Sequence, residues 1–169
     1  MSRSLKTHLL YLASLFVCAI SAGGQPISSQ VDPTLATNAP LQWRATSIDG
    51  SEIDLAKLRG KVVLLDFWAT RCPPCVAELP KVLAAYHQFH NKGFEIIGIS
   101  SDENNDVLSS FVKARGMKWP QYRDDYARIS QEWKINGLPT MWLINKKGLI
   151  ADRDARGDLQ GKVAKLLAE

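Results

Sequence analysis

Cys72 and Cys75 stand three residues apart with only Pro73 and Pro74 between them. On the first turn of a helix, two thiols at that spacing can close a disulfide with little backbone movement. A helix N-terminus aims the positive end of its dipole at the first sulfur and lowers its pKa, so Cys72 is the expected attacking thiolate and Cys75, one turn deeper, the resolving thiol. The prolines suit that turn, whose amides lack intrahelical partners. They also remove two donors, which leaves the Cys75 amide as the backbone donor nearest the Cys72 sulfur. Neither proline adds a cation, so the couple is expected to be reducing. Arg71 pulls the other way, since a guanidinium folded toward the sulfur would favour the thiolate. A purely structural disulfide is a weak alternative, because so short a loop removes little entropy from the unfolded chain. A metal site lacks ligands: the histidines are His8, His87 and His90, and the last two lie about four turns along the helix.

Other residues fall where they could assist. Asp66 is an acid in an otherwise apolar run, six residues before Cys72. Burial would raise its pKa, and it could then take the Cys75 proton and return it in the reverse step. Glu78, three residues past Cys75, could tune the same proton or simply be an exposed helical acid. Leu138-Pro139 precedes a strand, where a proline fits either a cis bond in a tight turn or a trans residue on an edge strand. Periodicity alone favours trans. In the cis form the Leu138 backbone could be left unpaired, ready to take a substrate peptide as an added strand.

These residues need elements to hold them. Residues 62–68 form an apolar run suited to a central strand covered on both faces. A helix should follow the cysteines with Val76, Leu79, Val82, Leu83, Tyr86 and Phe89 on one side, ending at residues 91–93. Residues 94–99 read as a second buried strand, 104–115 as a helix stopped by Gly116, and 126–133 as a short polar helix. Strands at 141–144 and 149–153 are joined by a turn, and a final helix spans 158–167. This order implies a parallel pair with a right-handed crossover and an antiparallel hairpin in one mixed sheet. Upstream, Leu41, Trp43 and Ala45 alternate with polar residues, Asp49-Gly50 gives a turn, and Ile53 and Leu55 follow, which predicts an N-terminal β-hairpin.

The ends and the composition set the compartment. The 169-residue chain is 46% hydrophobic and 22% charged, as expected of one globular core. Arg3 and Lys6 precede an apolar stretch at residues 9–22, which is short for a membrane span and suits a signal peptide. Cleavage after Ser21 or after Ala22 stays open, as does lipidation of Cys18, although Leu15-Phe16-Val17 is a poor context for it. Loss of residues 1–22 takes two positive charges from a formal +4 and leaves +2, which makes no case for nucleic acid. Residues 23–40 are rich in Gly, Ser, Gln, Thr and Pro and read as a flexible linker, and 41–169 as the folded domain. Export implies a periplasmic or other extracytoplasmic location, with tethering through the N-terminus left open. Cys72 and Cys75 are then the only cysteines of the mature chain.

The run Phe67-Trp68-Ala69-Thr70-Arg71-Cys72-Pro73-Pro74-Cys75, then Glu78 and Pro80, then Gly137-Leu138-Pro139-Thr140, resembles the TlpA/ResA-like branch of the thioredoxin family. Arg59-Gly60-Lys61-Val62-Val63-Leu64 and Gly98-Ile99-Ser100 strengthen the likeness, which covers residues 41–169. The resemblance implies an α/β thioredoxin fold with helices flanking a mixed central sheet. It implies Cys72 as nucleophile, Cys75 as resolving cysteine, Pro139 as a cis-proline facing them, and Pro80 as a kink in the active-site helix. It matches Asp66 to the buried aspartate of thioredoxin and Glu78 to the acid of the ResA-like branch, and it makes Trp68, Arg71, Leu138, Pro139 and Thr140 the substrate-binding surface. It further implies disulfide-containing envelope proteins as substrates, such as those of cytochrome c maturation, a membrane electron donor, and no cofactor or metal. Arg71 departs from the branch, which usually has a second tryptophan there.

Other chemistries are weighed on single features. A disulfide oxidase or isomerase would follow if Arg71 raised the potential. A thiol peroxidase of the peroxiredoxin class would need proline seven and threonine three residues before its cysteine, where Leu65 and Ala69 stand. A copper-binding module of this fold usually spaces its cysteines further apart and adds a distant histidine.

Overall fold

The computed structural model describes residues 39–169. The signal peptide, Cys18 and nearly all of the linker expected from the sequence lie outside the described residues. Strands β1 (Arg44–Thr46) and β2 (Glu52–Asp54) form an antiparallel hairpin. There follow β3 (Val62–Trp68), α1 (Pro73–Phe89), β4 (Phe94–Ser100), α2 (Asn105–Ala114), β5 (Gln121–Arg123), α3 (Arg128–Glu132), β6 (Thr140–Ile144), β7 (Ile150–Asp152) and α4 (Leu159–Ala168). The five-stranded sheet runs β5-β4-β3-β6-β7. Its β3-β4 and β4-β5 pairs are parallel, and β3-β6 and β6-β7 antiparallel. This is the thioredoxin fold, with a mixed sheet, flanking helices and an N-terminal hairpin.

All seven residues of β3 are buried, and their alternation divides the core. Val62, Leu64 and Trp68 face a cluster with Cys75, Leu79, Val82 and Phe89 of α1 and Leu159 and Val163 of α4. Val63, Leu65 and Phe67 face the opposite cluster, with Trp43, Trp133 and Trp142. There Trp133 and Trp142 stack with centroids 5.9 Å apart, and Phe67 meets each of them edge-on. Such aromatic pairs add about 0.5–1.5 kcal/mol beyond the area they bury.

Two elements differ from the sequence expectation. Residues 121–123 form a strand parallel to β4, a pairing that Gln121, Tyr122 and Arg123 do not announce by hydrophobicity. The polar helix expected at 126–133 is a 3-10 turn at Asp125–Ala127 followed by the five-residue α3. Tyr126 and Ala127 are left-handed there, with φ of 57° and 55°. Asp124 accounts for the break, since its carboxylate accepts from the amides of Ile129 and Ser130 at 2.8 and 2.9 Å and from the Ser130 hydroxyl at 2.7 Å. It starts the helix two residues late, and Ala127 has no side chain able to cap it.

Candidate active site

Cys72 is the N-cap of α1 and Pro73 and Pro74 fill its first positions. The two cysteines are joined as a disulfide with Cα atoms 5.3 Å apart. The Cys75 amide donates to Cys72 Sγ at 3.3 Å, the donor expected once both prolines have removed theirs. Cys75 is 6% exposed, so an incoming sulfur reaches Cys72 first. Pro80 lies inside α1, where it lacks the amide that would bond the Val76 carbonyl.

Asp66 shares a face of β3 with Leu64 and Trp68, the face packed against Cys75 and Leu79. It is 5% exposed, and its Oδ1 is buried with no hydrogen-bond partner among the described residues. Burial, and next the negative charge of Glu78, push its pKa up to about 7. Glu78 itself faces outward far enough to bind Lys81 Nζ through both oxygens, at 2.9 and 3.1 Å.

The peptide bond Leu138-Pro139 is cis. Register places it beside the active-site end of β3, because Thr140 pairs with Phe67 and Met141 with Asp66. The Thr140 hydroxyl donates to the Gly137 carbonyl at 2.7 Å and closes the loop. No backbone hydrogen bond reaches Leu138 among the described residues.

Two residues stand differently from the surface expected of them. Trp68 is 4% exposed. Its ring lies 5.5 Å from that of Phe111, and its indole N–H donates to Gln121 Oε1 at 3.1 Å. It therefore packs beneath the active-site loop and offers substrate almost no area. Arg71 places its guanidinium 3.6 Å from Asp102 Oδ1, on the side of the loop where it lines a cavity with Ser101, Glu103 and Tyr126.

Asp102 is the residue that sequence reasoning missed. It is 5% exposed and accepts from the Thr70 amide at 2.8 Å, the Thr70 hydroxyl at 2.7 Å and the Ser100 hydroxyl at 2.7 Å. These bonds tie the turn before Cys72 to the end of β4. The only signal was a polar Ser100-Ser101-Asp102 run closing an apolar strand. Gln121 was missed for the same reason that β5 was. Among the described residues no three His, Cys, Asp or Glu side chains gather as a metal ion would need, and no helix is long and apolar enough to cross a membrane.

Residues 36–153 match the AhpC/TSA family. The thiol-disulfide oxidoreductase ResA of Bacillus cereus is 34% identical over 125 residues, 72% of each chain. The thioredoxin domain of a thiol-disulfide oxidoreductase from Bacteroides vulgatus superposes with a TM-score of 0.69 at 29% identity, over 78% of this chain and 97% of that one. A secreted Mycobacterium tuberculosis disulfide oxidoreductase, homologous to E. coli DsbE, superposes with a TM-score of 0.64 at 25% identity, over 73% and 96%. A disulfide whose first cysteine caps a helix beside a cis-proline loop, in a chain so related, makes this protein a thioredoxin-fold thiol-disulfide oxidoreductase of the ResA type within the AhpC/TSA family.

Proposed function

We propose that this chain is exported and reduces disulfides of envelope proteins, including those of cytochrome c maturation, after a membrane electron donor has reduced Cys72 and Cys75. The observation that carries this reading is the N-cap position of Cys72, whose sulfur already accepts the Cys75 amide. A thiolate formed there meets a helix N-terminus and one backbone donor, while the Arg71 guanidinium lies 3.6 Å from the Asp102 carboxylate, which offsets its charge. Export is supported by the apolar stretch at residues 9–22 behind Arg3 and Lys6 and by likeness to a secreted oxidoreductase.

In the reaction the Cys72 thiolate attacks one sulfur of the substrate disulfide. A mixed disulfide forms and the other substrate sulfur leaves as thiolate. Cys75 passes its proton to the Asp66 carboxylate and attacks Cys72 Sγ, which releases the second substrate sulfur. The substrate gains two electrons; the Cys75 proton held on Asp66 and one from solvent, where Cys72 left its own on ionising, convert the two released thiolates to thiols, and the protein is left in the disulfide form described above. Asp66, with its pKa near 7, is about half ionised at neutral pH and so can both accept and return that proton. The unpaired backbone at Leu138, opened by Pro139 and braced by Thr140, receives the substrate as a short added strand.

Equilibration with dithiothreitol and glutathione buffers, read by thiol trapping and mass, should give a potential near the thioredoxin value of about −270 mV. Cys72→Ser should abolish reduction of insulin disulfides. A potential near −120 mV, that of a strong oxidant, would replace the reductase reading with an oxidase.

A further inference from the structure

The two sides of the active-site loop carry opposite charge. On the Arg71 side, a cavity of about 640 Å³ is lined by Asp102, Glu103, Asp124 and Asp125 against two arginines. Both arginines are paired, Arg71 with Asp102 at 3.6 Å and Arg123 with Asp125 at 2.7 Å. On the other side, a cavity of about 460 Å³ is continuous with Leu138 and Pro139, and its charged lining is Lys134, Arg153 and Arg156, with no acid. Arg153 lies over the Trp142 ring at 4.6 Å. Arg156 is held in a fork by Asp154 at 2.6 and 2.7 Å. Lys134 is exposed and its ammonium makes no ion pair or hydrogen bond among the described residues. Its backbone sits at φ 53°, where it closes α3: the Lys134 amide donates to the Gln131 carbonyl at 3.1 Å and the Ile135 amide to the Ser130 carbonyl at 2.8 Å, which fixes where the side chain leaves the helix.

We propose that this basic cavity is the subsite for acidic residues of the substrate, so that the protein selects cysteines flanked by Asp or Glu on the segment lying against Leu138. The inference rests on the reductase reading. An acidic segment is attracted to the Lys134 side and repelled from the Arg71 side, so the same field that raises the encounter rate also fixes which way the segment lies. Both cavities are open to solvent, and the effect is therefore screened by salt.

The test uses the full chain, reduced, and two short peptides that differ only in bearing aspartates or lysines beside one cysteine capped by 2-mercaptoethanol. Cys72 bonds to the peptide sulfur and mercaptoethanol leaves as thiolate; Cys75 then displaces the peptide as thiolate. The protein dithiol loses two electrons and the capped peptide gains them. At low salt the acidic peptide should react about tenfold faster, and the ratio should fall toward one at 1 M salt, where the Debye length is about 3 Å. Lys134→Glu should lower that ratio by about fivefold, and Lys134→Gln, which removes only the charge, by less. Equal rates for the two peptides, or a ratio that both variants leave intact, would overturn the subsite. Failure to reduce either peptide, with both thiols free, would instead overturn the reductase reading.

Discussion

Asp66 and Asp102 are equally buried, each 5% exposed, yet their surroundings make them opposite kinds of acid. Asp102 receives the Thr70 amide and hydroxyl and the Ser100 hydroxyl, and has the Arg71 guanidinium 3.6 Å away. Asp66 faces Cys75 and Leu79 with one oxygen sealed and unpaired. A carboxylate given donors serves as a strut; one denied them holds its charge at a cost, and for Asp66 burial pushes the pKa up to about 7. The lesson is that burial alone does not decide what an acid does beside a reactive sulfur. The donors decide.

Removing the strut should have the largest effect. Asp102→Ala leaves the Thr70 amide and two hydroxyls without their acceptor, and should cost about 3–5 kcal/mol in a denaturant titration. A loss below about 1 kcal/mol would mean that the turn before Cys72 is held by other contacts. Asp66→Asn should act in the other direction and only at high pH. The Asp66 pKa is raised from 3.8 to about 7, so the folded state holds this proton more tightly than the unfolded chain. The stability it confers is full below pH 3.8 and is lost as pH rises through 7. The asparagine variant should therefore gain on the order of 4 kcal/mol over wild type above pH 7 and nothing at pH 3. It should also slow the attack of Cys75 on a trapped mixed disulfide by about 100-fold, because the proton acceptor is gone. Glu78→Gln sharpens the contrast with the smallest effect. It removes the second cause of the Asp66 shift and leaves the first, so the midpoint of the stability-pH curve should move to lower pH by less than burial has raised it. An unmoved midpoint would make burial the whole cause.

The same contrast explains what the sequence could reveal. Asp66 is visible because a lone acid interrupts six apolar strand residues, and local pattern is enough to flag it. Asp102 is invisible because Thr70, which it binds, lies 32 residues earlier in the chain, and nothing in a local window ties Ser100-Ser101-Asp102 to the cysteines. Helices α1 and α4 and strands β3 and β4 are legible because they are long and strongly patterned. Strand β5 is three residues long and carries Gln121 and Arg123, so its place is set by pairing with β4 rather than by its own composition. The expected contact surface at Trp68 fell short for a related reason, since the indole found its partner on β5, 53 residues away.

That partnership joins three strands through one missing methyl group. Gly98 on β4 has no room for a β-carbon, because Gln121 Oε1, Cδ and Nε2 occupy the space where one would project. Gln121 in turn orients Trp68, the residue on which the active-site loop rests. A change at Gly98 would thus reach the cysteines through two intermediaries without touching either. A β-carbon at Gly98 would push the Gln121 amide off the Trp68 indole, which makes the plainest residue of β4 a remote guardian of the redox centre.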